Sequence, residues 1–515
     1  MPLRSRFSRR PSAIALLLVV LALGLFFRVA HIDQKLYWHD EVYTSVRTLG
    51  YTGREATAAL FTGELLGRDD LLKFQRLSPE RGWGDTLYAL TTHPEHPPLY
   101  YLLLRAWVTG FGTSVAAMRS LSAVFSLLCF PALYGFCRRL FGPLVGAIAL
   151  ALWAVSPVQV LYAQEARPYS LWVLVTLLSH LALLRAVQRR AAWNWFLYTA
   201  AIVSSAYTSL LTGLVWLCHG LYLIVIKRWR ALAYWGLASV GAAALFSPWL
   251  WVMARNWGQM RKYTAWITSD YGLWLPQLWG IHFSSAFVDF GVPLDPRYGV
   301  VLLLSAALLI GAIAVLWRRD LVEARLVVLL LTVPIGVLAL PDILLGGIRS
   351  GLPRYILPSL TMVPVAVAHL MAAQWRRGWI AQGLGALLLT MGIASCSLSA
   401  QATTWWTKSV GMDNAEAIAF LRQVERPVVI TQASDLALGN ILSIAHGLPP
   451  EVQFQLLPRE ALPVIPEGGR DRFLFHARHL SDALAKSGFA LERVESAPVL
   501  SRVVRAASDG AAADP

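Results

Sequence analysis

The chain has 515 residues, 56% hydrophobic and 15% charged, with 45 basic against 30 acidic residues and a net charge of +15. Soluble domains are about 45–50% apolar, and here the apolar residues come in repeated runs of roughly 15–23, the length that crosses a bilayer. That excludes a string of soluble domains. A nucleic-acid reading of the +15 would need a basic face. The four cysteines (Cys129, Cys137, Cys218, Cys396) form no CxxC pair, which excludes zinc-ribbon and secreted disulfide scaffolds.

The N-terminus, RSRFSRR followed by the apolar stretch Ala13 to Ala30, has the layout of a signal peptide, but the run ends FFRVAHID without a small-x-small cleavage site. It reads as an uncleaved first span. Further apolar runs at about 115–136, 144–160, 170–184, 195–207, 210–226, 231–253, 298–317, 326–340, 356–373 and 379–398 bring the number to eleven. The two short runs between 195 and 226 fit a tight helical pair better than one kinked span. The stretch Pro97 to Phe111 (PPLYYLLLRAWVTGF) is apolar but short and carries Arg105, so it reads as an amphipathic helix at the outer interface.

Charge placement orients these spans. The clusters Arg4/Arg6/Arg9/Arg10, Arg138/Arg139, Arg185/Arg189/Arg190, Lys227/Arg228/Arg230, Arg318/Arg319/Arg325 and Arg376/Arg377 all fall on one side, which the positive-inside rule makes cytoplasmic. They hold 17 basic residues, with only Asp320 and Glu323 among them, and so account for the whole +15. The surplus is an orientation signal, and nucleic acid is not an expected partner.

The expected fold is mainly α: a polytopic transmembrane bundle over residues 1–402, with a first outer loop at 31–114 carrying interfacial helices, and a small soluble extracytoplasmic α/β domain at 403–515. In that tail Asp413 is placed to cap a helix (DNAEAIAFLRQV), and PVVIT, VQFQLL and RFLFHA read as strands. The Ala/Asp-rich end (AASDGAAADP) reads as disordered. The N-terminus is expected in the cytoplasm, and the tail outside the cell or inner membrane.

Ionisable residues near membrane depth are costly and tend to be functional. In LYWHDEVYTSVR, just past the first span, Asp40 and Glu41 suit a general base or cation ligands, or else the solvated start of a loop behind interfacial Tyr37 and Trp38. In THPEHPPLYY the double proline allows Pro98 at a first helical turn and holds His96 above it, or simply separates two elements. In LYAQEARPYSLW, Glu165 and Arg167 share a turn too short to leave the bilayer surface, which suits substrate contact or an ion pair pinning the turn. In GLPRYILP, Arg354 and Tyr355 precede a late span; the guanidinium is a fork for a lipid phosphate, or an arginine snorkelling to the interface. Arg261 and Lys262 offer weaker options of the same kind, while Arg28 and His219 read as satisfied helix residues.

These four elements, in this order, resemble the GT-C membrane glycosyltransferases, and within them the glycosyltransferase family 39 type, similar to protein O-mannosyltransferases and lipid A aminoarabinose transferases. The resemblance spans residues 10–375. It implies a polyprenyl-phosphate-sugar donor (hexosyl or pentosyl) and inverting transfer outside the membrane to a lipid, protein or glycan acceptor. It also implies a base at Asp40 with Glu41 beside it, and a second catalytic acid at Glu165. Donor or lipid-phosphate contacts then fall to His96, Arg167, Tyr169, Arg354 and Tyr355. Metal dependence stays open, since Asp40, Glu41 and Glu165 could hold a divalent cation or work without one. Relatives often read Tyr-Thr-His where this chain has Tyr207, Thr208 and Ser209. The physical chemistry agrees: a carboxylate takes the acceptor proton, carboxylates support an oxocarbenium-like transition state, and arginine or a metal receives the leaving phosphate. No GxxxxGK[ST] or strand–GxGxxG–helix unit marks a nucleotide site. A lipid or polysaccharide transporter is the alternative, but transporters place polar groups near the midplane. A scaffold whose tail binds a partner leaves the loop carboxylates unexplained.

Overall fold

A computed structural model of the protein describes residues 11–189, 191–269, 272, 274–291, 295–318, 322–374, 378–463 and 470–506. The chain forms two compact units. One takes residues 1–32, 90–108 and 116–402; the other takes 33–89, 109–115 and 403–515. Much of the charge pattern (Arg4, Arg6, Arg9, Arg10, Arg190, Arg319, Asp320, Arg376, Arg377) and nearly all of the Ala/Asp-rich end lie outside the described residues.

In chain order, α1 spans Pro11–Val29, and the first loop folds as α2 (His39–Thr48), α3 (Gly53–Leu60), β1 (Leu65–Gly67), α4 (Arg68–Leu72) and α5 (Trp83–Thr91). Then follow α6 (Leu99–Phe111), α7 (Val115–Phe141), α8 (Pro143–Ala154), α9 (Pro157–Ala163), α10 (Tyr169–Gln188), α11 (Ala192–Ala206), α12 (Thr212–Val225) and α13 (Trp229–Arg255). Next are α14 (Trp257–Thr264), α15 (Leu275–Ser284), α16 (Gly299–Arg318), α17 (Val322–Leu345), α18 (Leu357–Gln374) and α19 (Trp379–Gln401). The tail adds α20 (Asn414–Leu421), β2 (Val428–Gln432), α21 (Ala437–Gly447), β3 (Gln453–Leu457), β4 (Arg472–Phe475), α22 (Ser481–Lys486), β5 (Phe489–Arg493) and β6 (Leu500–Arg505).

The mainly helical class is as expected. Each of the eleven apolar runs is helical. Among the described residues eight helices (α1, α7, α10, α13 and α16 to α19) are long and apolar enough to cross a membrane, or nine spans if the bent pair α8–α9 counts as one. The runs at 195–207 and 210–226 form two separate helices, α11 with 15 residues and α12 with 14. They are tied to the rest of the first unit by buried hydrogen bonds: Trp235 donates to Tyr198, and His219 sits between the Tyr198 hydroxyl (3.1 Å) and His180 Nδ1 (2.8 Å). In α6 the buried residues Tyr100, Tyr101, Leu104, Arg105 and Val108 make one helical stripe, while Leu103, Ala106 and Phe111 are exposed.

The bend between α8 and α9 is 62°. Pro157 has no N–H for Trp153, whose carbonyl accepts from Ser156 N at 3.2 Å instead, while Val158 donates to Ser285 and Gln159 to Ser156, so the carbonyls of Ala154 and Val155 lose their helical donors. Arg28, fully buried in α1, replaces them. Its Nη1 donates to Ala154 O (2.6 Å), its Nη2 to Trp153 O (3.4 Å), its Nε to Ser126 Oγ (2.8 Å), and Cys396 Sγ reaches Val155 O (3.4 Å). The ring faces of Phe130 and Trp153 lie 4.9 and 5.0 Å from the guanidinium, which completes the compensation of a charge at membrane depth. Arg28 is thus a satisfied helix residue, as its place in the sequence suggested.

The second unit is built on a six-stranded sheet in the order β1-β3-β2-β4-β6-β5. Its centre, β3-β2-β4, is parallel, with α21 as the crossover from β2 to β3; β1, β6 and β5 pair antiparallel. The three strands read from the sequence are the parallel centre. One face packs Val428, Ile430, Leu457, Leu474, Leu480 and Leu484 into a core, and on the other Phe473 meets Phe420 of α20 at 5.3 Å. The edge strand β1 comes from the first loop, whose Leu66 pairs with Phe454. A helix does begin after Asp413, but the Asp413 side chain makes no cap hydrogen bond, a correction to its expected role. All four cysteines are buried and free.

Candidate functional site

Asp40 and Glu41 open α2 in the second unit, where the partial positive charge of a helix N-terminus favours carboxylates. Glu41 is fully buried and its Oε2 accepts from Trp38 N at 3.4 Å, closing the first turn, whereas Asp40 remains half-exposed. Within the same unit α2 is seated on α21. A Cβ at Gly439 would lie 2.2 Å from His39 Nδ1, so only glycine admits this crossing. Tyr37 packs on His446 (4.8 Å), Lys408 Nζ stands 4.2 Å over Trp38, and Leu36 N donates to Thr403 O. The start of the tail therefore braces the helix that presents Asp40.

In the first unit the other three elements are joined through shared partners. Pro98 precedes α6 and its carbonyl accepts from Leu102 N, so the double proline does set the start of that helix. Leu99 N donates to Tyr207 O, which docks the element on the segment that carries Tyr207, Thr208 and Ser209. Tyr100 OH bonds Ser122 Oγ at 2.8 Å, and Ser122 Oγ donates to Arg167 O at 3.2 Å. That hydroxyl pair links the His96 element to the Glu165–Arg167 turn. The turn itself is buried: Glu165 is 3% exposed and Arg167 5%. Arg167 Nη2 donates to Tyr169 OH at 3.4 Å, with the guanidinium 5.5 Å from that ring. Behind the turn, Gln164 Nε2 donates to Phe27 O (2.9 Å) and Ala30 O (2.8 Å), the C-terminal end of α1.

His96 lies with Nε2 3.8 Å from Glu95 Oε1, and His93 Nδ1 is 3.2 Å from the same oxygen. The His93 ring stacks on Tyr263 of α14 at 4.2 Å. Three residues further on, the Trp266 ring lies 5.5 Å from the guanidinium of Arg354, which is also 5.7 Å from the ring of Tyr355. One segment, Trp257–Thr268, therefore contacts both the His96 element and the Arg354 element. Arg261 and Lys262 on that segment are exposed. Sequence reasoning placed Glu95 in the quoted motif, between its two histidines, without giving it a role, and missed Tyr263 and Trp266. It also missed His282, whose Nε2 bonds Gly351 O at 2.7 Å and whose imidazole is pushed down to about 4 by burial, against the pull of that bond. Among the described residues no three His, Cys, Asp or Glu side chains gather as a group that could hold a metal ion.

Residues 95–252 match the family model described as dolichyl-phosphate-mannose-protein mannosyltransferase. The whole chain is similar in fold to ArnT from Cupriavidus metallidurans bound to undecaprenyl phosphate, at 14% identity and a TM-score of 0.54, over 96% of this chain and 98% of that one. The apo state of ArnT from the same organism gives 13% identity and a TM-score of 0.51, over 96% and 97%. No curated protein sequence matches the chain.

Proposed function

We propose that this chain, whose fold is of the GT-C type, is an integral membrane glycosyltransferase that moves a sugar from a polyprenyl-phosphate-linked donor to an acceptor hydroxyl on the outer face of the cell membrane. The observation that carries this reading is the linkage, inside one compact unit, of the His96, Glu165–Arg167 and Arg354 elements. The family match over 95–252 and an ArnT bound to undecaprenyl phosphate support the donor class. The positive-inside distribution supports an outer working face.

In this reading Asp40 takes the proton from the acceptor hydroxyl as its oxygen bonds to the anomeric carbon. The bond from that carbon to the phosphate oxygen breaks, its electron pair leaves on the lipid phosphate, and the anomeric configuration inverts. Glu41 closes the first turn that holds Asp40. Glu165 supports the positive charge that develops on the sugar, and its burial strengthens that interaction. Arg354 and Arg167, with Tyr355, Tyr169 and His96, receive the leaving phosphate, whose charge a planar guanidinium matches bidentately. Chemistry rather than transport is favoured because the motif carboxylates and arginines lie at or beyond the ends of the apolar helices rather than at their middles, and the buried Arg28 is committed to helix carbonyls.

Purified protein in nanodiscs, given a polyprenyl-phosphate sugar labelled in the sugar and an envelope extract, tests the reading. Label in the extract together with free polyprenyl phosphate supports it. Movement of intact donor between leaflets without cleavage would establish the transporter.

A further inference from the structure

The segment between α17 and α18 carries Arg354, and it is tied down by a carboxylate with no assigned role. Asp342 lies in the last turn of α17, where both the helix dipole and the apolar surroundings disfavour an anion. Its side chain is fully buried. Oδ1 accepts from Arg349 Nη1 at 2.8 Å; Oδ2 accepts from Ser350 N at 2.6 Å and from Ser350 Oγ at 2.8 Å. Arg349 Nη1 also donates to Gly346 O, and Trp279 Nε1 to Ser350 Oγ. One residue on, Gly351 O is held by His282. Ile348 N donates to Ile267 O, the neighbour of Trp266. At Gly347, φ is +119° and a Cβ would come within 2.7 Å of both Arg349 Nη1 and Ile267 O, so the backbone closes around the ion pair only with glycine.

The same strap thus runs from Asp342 through Ser350 and Gly351 to Arg354, whose guanidinium packs on Trp266. The Ile348–Ile267 hydrogen bond sits beside the Trp266–Arg354 contact, so strap position and guanidinium position are set together. A buried carboxylate meeting three donors of the eleven-residue segment 346–356 is a rigid device rather than a surface ion pair. We propose that Asp342 is a positioning residue for lipid-phosphate binding: through Arg349 and Ser350 it fixes the strap that holds Arg354 for the phosphate of the polyprenyl donor. The inference rests on the reading of the protein as a polyprenyl-phosphate-sugar transferase.

The test is binding of undecaprenyl phosphate itself to the full-length protein in nanodiscs, in a double-mutant cycle of Asp342→Asn and Arg354→Ala. Asp342→Asn is expected to weaken binding about tenfold while the protein keeps its thermal transition. In the Arg354→Ala background it should weaken binding no further, because its effect passes through Arg354. With a cleavable donor the loss should fall on KM and leave kcat within about twofold. Equal binding by wild type and Asp342→Asn, or a loss fully additive with Arg354→Ala, would overturn the positioning role while leaving the transferase reading intact. Should Asp342→Asn fail to fold, Ser350→Ala and Arg349→Gln remove single donors and carry the same expectation. A wild type that binds no undecaprenyl phosphate would overturn the reading and the inference together.

Discussion

Arg28 Nη1 and the carbonyl oxygen of Ala154 meet at 2.6 Å, across the point where α8 breaks and α9 begins. One side chain of the first helix thereby replaces the donors that Pro157 and the 62° bend remove. The same two neighbours meet again at the Gln164 side chain, which donates to Phe27 O and Ala30 O. The turn carrying Glu165 and Arg167 is held by α1 from both ends of α9.

Arg28→Met therefore leaves buried carbonyls at residues 153 and 154 without their guanidinium donor. A loss of about 2–4 kcal/mol is expected, read as a lower Tm in detergent. Arg28→Lys should restore only part of it, since an ammonium cannot span two carbonyls and Ser126 in one plane. A variant with unchanged Tm would show that the break does not need Arg28.

Tyr100→Phe and Ser122→Ala each cut the hydroxyl link between the His96 element and the Glu165–Arg167 turn. Each is expected to cost about 1 kcal/mol in kcat/KM. The double variant should lose little more than either single one, because both act on one connection. Simple additivity would mean that the two elements are not coupled through this pair.

In the second unit, Gly439→Val drives a side chain into the His39 ring and must displace α2. Hydrogen exchange across residues 39–48 should accelerate, and transfer should fall with Asp40. Unchanged protection there would contradict the bracing of α2 by α21.

The His282 imidazole is pushed down to about 4 by burial, from an ordinary value of 6.5. The folded state therefore favours the neutral ring. The stabilisation is complete above pH 6.5 and is lost as the pH falls from 6.5 towards 4, by up to about 3 kcal/mol. Exchange of the Ser350 and Gly351 amides, taken relative to the intrinsic rate at each pH, should rise as the pH falls through that window in the wild type, and this relative rate should lose its pH dependence in His282→Gln. A rise on the alkaline side would reverse the sign.

What the sequence made legible followed from strong local signals. The apolar runs, the start of α6 after Pro98 and the parallel strands PVVIT, VQFQLL and RFLFHA each carry their own pattern. Leu65–Gly67 has no strand pattern of its own and becomes β1 only by pairing with β3. The four motifs of the candidate site stand out in the sequence because each concentrates ionisable groups at an apolar boundary. What joins the three that lie in the first unit was not legible: Ser122, Tyr263 and Trp266 are ordinary residues until the chain folds, and their partners lie 22 to 170 positions away. Asp342 left a usable trace, as the only carboxylate between Glu323 and Asp413.

Single-turnover release of polyprenyl phosphate from a polyprenyl-phosphate sugar, compared between the wild type and Asp40→Asn in nanodiscs with acceptor present, bears most directly on the proposed chemistry. The wild type should release lipid phosphate and glycosylate the acceptor, while Asp40→Asn binds the donor with unchanged affinity and turns over at least about a hundredfold more slowly. Release at the wild-type rate by Asp40→Asn would remove the base, and no release by the wild type would contradict glycosyl transfer itself.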